Sequence, residues 1–366
     1  MRVVIATGGT GGHVFPALAL ADQLVRDHGA EVRFVGTRGG PEASRVPAAG
    51  YRFDAVDAIP FVRELSWRAA RAPVVALRSA RACAPLVRGA DVAVGMGGYA
   101  SVPAMLAARR AHVPIVLHEA NAIPGLATRL LARFASAIAI AFRDVRRLLP
   151  GRSRVELIGY PVRDAIREVP RQRETLAEAC RSALDLDPDR RTVLVWGGSQ
   201  GARRLDETVV GALPAIGDRP DVQLVVLTGP ANEAVVTEAA ASAPAVHVLP
   251  FLERMELAYA AADLAVSRAG ATAIAEQTVC ALPTILVPYP YATENHQEAN
   301  ARELERAGAA DVVLDGVLSP EVLVARVDAL LEDPARRSSM ATNAAAWARP
   351  DAAERFGSLV AEVATA

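Results

Sequence analysis

His13 closes the stretch Gly8-Gly-Thr-Gly-Gly-His13, directly after the apolar run Arg2-Val-Val-Ile-Ala-Thr7. An imidazole has an ordinary pKa of about 6.5, which suits proton removal near neutral pH. Where a helix begins at such a point, its dipole favours the neutral ring that a base requires. Three roles are open to the stretch: proton abstraction by His13, placement of an anionic substrate on the backbone, or a plain strand-to-helix turn. A second glycine stretch, Gly197-Gly-Ser-Gln-Gly-Ala202, follows the apolar run Thr192–Trp196 and adds the Ser199 hydroxyl. A third candidate, Ser267-Arg-Ala-Gly-Ala-Thr272, precedes an expected helix at 273–280. Amides at a helix N-terminus hold phosphates and other anions. Glu276 falls in the first or second turn of that helix, where a carboxylate can accept hydrogen bonds from both hydroxyls of a ribose. The plainer role for Glu276 is compensation of the helix dipole.

Such groups need a rigid frame, and the hydrophobic pattern supplies one. Short apolar runs at 32–36, 52–56, 92–97, 115–120, 137–142 and 155–159 are separated by helix-length stretches, the first an amphipathic pattern from Val14 to Arg26. The arrangement restarts at Thr192, with further runs at 223–229, 247–251, 263–270, 284–289 and 310–315. This alternation predicts parallel, doubly wound sheets. Runs with little polar interruption suit strands covered on both faces. The polar stretch 161–191, with Pro170 and Pro188, reads as a linker plus an opening helix. The expected fold is α/β, with two Rossmann-like parallel-sheet domains facing a cleft and ligands at the carboxyl ends of the strands. The expected domains are 1–163 and 164–346, with a last helix at 347–366 returning to pack on the first domain.

Composition removes several classes of function. Forty basic residues against 41 acidic ones give a net charge of −1, which argues against a nucleic-acid partner. No lysine occurs, so Schiff-base and Walker-A chemistry are excluded. Cys83, Cys180 and Cys280 are far apart and suggest neither a disulfide framework nor a zinc site. No apolar run approaches the roughly 18–20 residues of a membrane span, and the start lacks a signal-peptide pattern. A soluble, cytoplasmic protein is expected. A dinucleotide fingerprint would need a third glycine where Val14 stands, and an acidic residue where the second strand ends in Gly36-Thr37-Arg38. A dehydrogenase is therefore a distant alternative. Asp185-Leu-Asp187 lies in the polar stretch rather than at a strand end. No cofactor and no obligatory metal are expected.

GGTGGHVFPALALA, GMGGYAS (95–101), HEANAIPGLATRLLAR (118–133), GYPVR (159–163), GGSQGA, SRAGATAIAE (267–276) and ENHQEANA (294–301) follow one another in this order. From residue 3 to about 345 the chain resembles the MurG family, bacterial glycosyltransferases that add N-acetylglucosamine to the lipid-linked muramoyl-pentapeptide of cell-wall synthesis. The resemblance implies a GT-B fold, a UDP-GlcNAc donor and a polyprenyl-linked muramoyl-pentapeptide acceptor. It implies inverting attack of the muramoyl C4 hydroxyl on C1 of GlcNAc. It places the UDP diphosphate at Ser199, Gln200 and Gly201 and at Ala271, Thr272 and Ala273, and the ribose at Glu276. It places the uracil at the Leu252 backbone, with Arg163 beside the nucleotide. Gln297 and His296 are implied for the donor sugar, with Thr10 and Asn121 reaching it from the N-terminal side. Gly11, Gly12, Gly97, Gly98, Tyr99 and Ser101 are implied to face the acceptor diphosphate. His13 is the chosen base, and His118 and Glu119 compete with it. His118 could equally be a buried strand-end donor. The chain departs from the family at Tyr160, where Asn is usual, and at Ala120, where Gln is common.

A lipid-anchored acceptor requires a visit to the membrane surface. Residues 61–88 hold six Arg against one Glu, interleaved with Phe61, Val62, Leu65, Trp67, Val74, Val75 and Leu77. A basic, apolar stretch of this kind can lie on anionic lipid; the other reading is a core-packing helix with a solvated Arg face. The expected location is the cytoplasmic face of the cell membrane, held peripherally. The rival readings are another UDP-sugar-dependent GT-B glycosyltransferase acting on a lipid or natural product, a UDP-GlcNAc 2-epimerase, and a non-catalytic nucleotide-binding or membrane-scaffold protein.

Overall fold

The computed structural model describes all residues except Thr10, 58–66, Arg152, Ser199, Gln200 and Asp218, and leaves aside the side chains of 67–74, 76 and 77. The chain divides into two units, Met1–Arg163 with Arg349–Ala366, and Asp164–Ala348. The first holds β1 (Arg2–Ala6), β2 (Glu31–Thr37), β3 (Arg52–Val56), β4 (Val92–Gly95), β5 (Ile115–Glu119), β6 (Ala137–Ile140) and β7 (Arg154–Leu157). The second holds β8 (Arg191–Trp196), β9 (Val222–Leu227), β10 (Val246–Leu249), β11 (Leu264–Ser267), β12 (Thr284–Leu286) and β13 (Asp311–Val312). All described pairings are parallel, as fully buried apolar runs require.

Strand order is β3-β2-β1-β4-β5-β6-β7 in one sheet and β10-β9-β8-β11-β12-β13 in the other. In each, the chain winds outward from its first strand and then crosses back to that strand's other side. The register is Ala6 beside Gly95 in one and Trp196 beside Ser267 in the other. The loops leaving the paired strands diverge there, and a crevice opens at the carboxyl ends. GGTGGH and GMGGYAS leave β1 and β4; GGSQGA and SRAGAT leave β8 and β11. The sequence patterns thus land at the two topological switch points.

Several elements differ from the sequence reading, among them the helix expected at 273–280, which runs Ala271–Val279, and the last helix, which runs Ala352–Thr365. The polar stretch after Pro161 is mostly structure of the second unit: helix Asp164–Arg167 and helix Val169–Leu184. Pro170 sits in the first turn, where its missing amide costs nothing. Arg173 then donates to the carbonyls of Tyr259, Ala260 and Cys280, binding the helix to its unit. The opening helix runs Gly11–His28, three residues earlier than the apolar periodicity shows. Helix Ala352–Thr365 packs on it, burying Phe356, Leu359, Val360 and Val363. Each such side chain contributes about 1.5–3 kcal/mol by leaving water.

Candidate active site

Because the helix begins at Gly11, His13 belongs to its first turn, within the reach of the positive helix end. Its ring lies against the β4 loop. A Cβ on Gly97 would come within 3.2 Å of the imidazole and one on Gly98 within 3.4 Å, and both residues have positive φ, +88° and +71°. Glycine is needed at both positions for space and for backbone conformation. The Ser101 hydroxyl donates to Gly98 O at 2.9 Å, so it shapes the same loop from inside. The half-buried Tyr99 ring lies beside Gly9. Thr10 lies outside the described residues.

Pro16 stands inside this helix. It has no amide to give to the carbonyl four residues back, that of Gly12. The Tyr160 hydroxyl donates to Gly12 O instead, at 2.9 Å. Tyr160 therefore completes the turn that carries His13. Tyr160→Phe will leave that carbonyl without this donor and lower the stability of the first unit by about 1 kcal/mol. Urea unfolding read at an unchanged m-value checks this; an unmoved midpoint would refute the assignment.

His118 is 1 % exposed and stacks on Phe356. Its Nε2–H donates to Gly159 O at 3.1 Å. Burial is the main cause that brings its pKa down to about 4; the Gly159 bond opposes this and the nearby His13 adds to it. His118 is thus a buried strand-end donor through Nε2. Glu119 is also buried. Its carboxylate accepts from the amides of Asn121 and Gly125, both at 3.1 Å. Burial raises its pKa, against the lowering effect of the bonds from Thr128, Asn121 and Gly125. Glu119 therefore closes the loop that presents Asn121. The Arg163 guanidinium lies 5.1 Å from the centre of the Phe15 ring, and that of Arg45 lies 5.0 Å from it.

Sequence reasoning missed Glu42. It is fully buried, and its carboxylate accepts from Thr37 N at 2.8 Å, Thr37 Oγ1 at 2.5 Å and Gly9 N at 3.4 Å. A Cβ on Gly8, Gly36 or Gly40 would fall within 2.7 Å of it. In dinucleotide-binding folds the acid after the second strand faces a ribose. Here it turns inward and holds the opening loop to the end of β2. A lone acid closely following Gly36, Gly39 and Gly40 was the available signal.

In the second unit, Gly201 (φ +74°) is pressed on the end of β9, where a Cβ would lie 2.0 Å from Thr228 O. Ser199 and Gln200 lie outside the described residues. Helix Ala271–Val279 opens after an extended Gly270, and Ala271, Thr272 and Ala273 form a half-buried first turn. First-turn amides are not used by the helix itself. Glu276, one turn on, is 5 % exposed, and its Oε2 accepts from the Tyr259 hydroxyl at 2.9 Å. Arg268 is turned back into the fold, paired with Asp315 at 2.5 Å and donating to Val287 O. Asn300 Nδ2 donates to Ala269 O at 3.2 Å, joining this loop to helix His296–Arg306. At that helix's start, Gln297 Oε1 accepts from Tyr289 N at 3.0 Å, and His296 Nδ1–H donates to Thr293 O at 2.7 Å. Glu294 and Asn295, just before, both have φ of +55°, a conformation rare outside glycine and held only by surrounding structure. Leu252 is half-buried in the loop after β10, also at the carboxyl ends of the strands.

Comparison with known proteins agrees with this geometry. Residues 3–140 match the glycosyltransferase family 28 N-terminal domain, and 192–356 match the family's C-terminal domain. The chain is 42 % identical to a protein of Clavibacter sepedonicus, covering 98 % of this chain and 95 % of that one. It is 37 % identical to one of Halothermothrix orenii, covering 100 % and 99 %. Both are named UDP-N-acetylglucosamine--N-acetylmuramyl-(pentapeptide) pyrophosphoryl-undecaprenol N-acetylglucosamine transferase. The crystal structure of MurG from Acinetobacter baumannii superposes with a TM-score of 0.78 at 29 % identity, covering 99 % of both chains. A UDP-GlcNAc 2-epimerase of Neisseria meningitidis, 15 % identical with a TM-score of 0.70, shares the fold alone. With both domains matched in order and full-length relatives at this identity, the chain belongs to glycosyltransferase family 28, in its MurG group.

Proposed function

We propose that the protein transfers GlcNAc from UDP-GlcNAc to the C4 hydroxyl of undecaprenyl-diphospho-MurNAc-pentapeptide, the step that completes the lipid-linked disaccharide of peptidoglycan. The observation that carries the reading is the pair of glycine-lined switch points in a chain of this family. One holds His13 against Gly97 and Gly98; the other holds a helix start beside Glu276. The acceptor oxygen attacks C1 from the face opposite UDP, giving a β1→4 bond, and His13 takes the hydroxyl proton. Negative charge gathers on the departing diphosphate. The amides of 271–273 and of the 197–202 stretch meet it, each such donor contributing on the order of 3 kcal/mol at the transition state. Glu276 takes the ribose hydroxyls, Leu252 the uracil, and Gln297 with His296 the sugar. Asn121 is a further ligand of the donor sugar, and Tyr99 and Ser101 shape the acceptor side.

UDP release from UDP-GlcNAc, measured with and without a muramoyl-lipid acceptor and against UDP-glucose, tests this. Acceptor-dependent release with UDP-GlcNAc is expected. Release independent of acceptor would overturn the transferase reading, and epimerised sugar without bound product would favour the fold's other known chemistry. Helix ends can stabilise the diphosphate without a cation, so activity will persist in EDTA. Loss in chelator with recovery in Mg²⁺ or Mn²⁺ would refute that.

The membrane reading draws on the charge of 61–88. Residues 61–66 lie outside the described residues, and 67–87 form a helix. In its later part Ser79, Ala80, Cys83 and Val87 are buried, while Arg78, Arg81 and Arg88 are exposed. Among the described residues no helix is long and apolar enough to cross a membrane. Each Arg near an anionic surface contributes about 1 kcal/mol. Flotation with anionic vesicles will carry the wild type upward and leave an Arg68/Arg71/Arg78→Ser variant behind; equal partitioning would sink the reading.

A further inference from the structure

Glu276 does not stand alone. Tyr259, in helix Met255–Ala261, is 1 % exposed and donates its hydroxyl to Glu276 Oε2 at 2.9 Å. Its ring meets Trp196 edge-on, with centroids 5.5 Å apart at 64°. Trp196 ends β8 and immediately precedes the 197–202 glycine stretch. Arg173 donates to Tyr259 O and Ala260 O at the end of one helix and to Cys280 O at the end of the other, tying together the two helices that carry the pair. We propose that Tyr259 is a positioning residue that presets the Glu276 carboxylate for a ribose diol and so makes the site select ribonucleotides over deoxyribonucleotides. The inference rests on the reading of Glu276 as the ribose acceptor.

The physical case is preorganisation. A carboxylate on a flexible side chain has to be ordered when a diol binds, and that ordering subtracts from affinity. A hydroxyl held on one of its oxygens fixes the plane of the group beforehand, and the Trp196 contact fixes the hydroxyl. A site built to receive hydroxyl donors rejects an analogue lacking one far better than an apolar pocket does, because the buried acceptor then stays partly unpaired. Rejection of that kind depends on the acceptor being held in place.

The test measures calorimetric Kd values for UDP and 2′-deoxy-UDP on the whole protein. The wild type is expected to favour UDP by about tenfold or more. Tyr259→Phe keeps the ring against Trp196 and removes only the hydroxyl. It should weaken UDP about five- to tenfold and 2′-deoxy-UDP by less than about twofold, so that the preference collapses. Both Kd values come from one preparation, so any unfolded fraction cancels in their ratio. Equal weakening of the two ligands would mean that Tyr259 only packs the fold, and an unchanged ratio would overturn the proposal. Glu276→Ala separates the underlying reading. If it erases the preference, Glu276 contacts the ribose, and the Tyr259 result decides the inference. If the preference survives Glu276→Ala, the ribose reading fails, and the inference falls with it.

Discussion

Replacing His13 with Ala will lower kcat by about 10²–10⁴, the range expected for loss of a general base. Three observations support an effect of that size. His13 lies in the first turn of helix Gly11–His28, where the helix end favours a neutral imidazole. Its ring is held against Gly97 and Gly98, positions that admit no side chain. The neighbouring histidine, His118, is buried and bonded to Gly159 O, so it does not substitute. If His13 takes the proton, the acceptor KM will stay within about threefold, and added imidazole will restore part of the rate through the space the variant opens. A loss confined to acceptor KM, without imidazole rescue, would make His13 a residue that places the acceptor. The acid limb of the kcat–pH profile supplies an independent readout: it will be present in the wild type and absent in the variant.

Glu42→Ala will have the largest effect on stability. It removes one acceptor from three donors, the Thr37 amide, the Thr37 hydroxyl and the Gly9 amide, in a fully buried position. Buried donors left without partners cost about 1–3 kcal/mol each, and the longer Gly9 bond contributes least, so a total of about 3–5 kcal/mol is expected. That is a large share of the roughly 5–15 kcal/mol that separates folded from unfolded states. Denaturant unfolding of the first unit will show it. Glu42→Gln keeps an acceptor oxygen for Thr37 but points an amide donor at the Gly9 amide. It should fall between wild type and Ala in stability and lose kcat more than KM, because the displaced loop leads straight into the His13 turn. If Glu42→Ala unfolds with a midpoint close to wild type, the carboxylate does not organise the loop.

Much of the frame is legible in the residues themselves. Apolar runs of strand length with helix-length gaps determine two parallel sheets, since burial on both faces leaves little room for polar residues. The two strand–glycine–helix repeats determine where anions can approach. Both signals are local: a strand's hydrophobicity and a glycine's backbone freedom depend on a few neighbouring residues. The ordered motifs determine the family for the same reason.

Other assignments needed partners that lie far apart in the chain. The carbonyl left without a helical donor by Pro16 is completed by Tyr160, 148 positions from Gly12. His118 and Glu119 end β5 in a motif that suggests chemistry, and the fold gives them distant partners: Phe356 stacks on His118, and Glu119 closes the 120–125 loop. Glu42 follows the strand whose end showed no useful acid, and the fold turns it inward. Tyr259 sits in an unremarked helix until β8 and helix Ala271–Val279 bring Trp196 and Glu276 to it. Residue type and spacing thus determined which loops and side chains reach the carboxyl ends of the sheets. Only the tertiary structure decided which polar groups there hold the others in place, because a buried hydrogen bond is set by the partner that packing delivers.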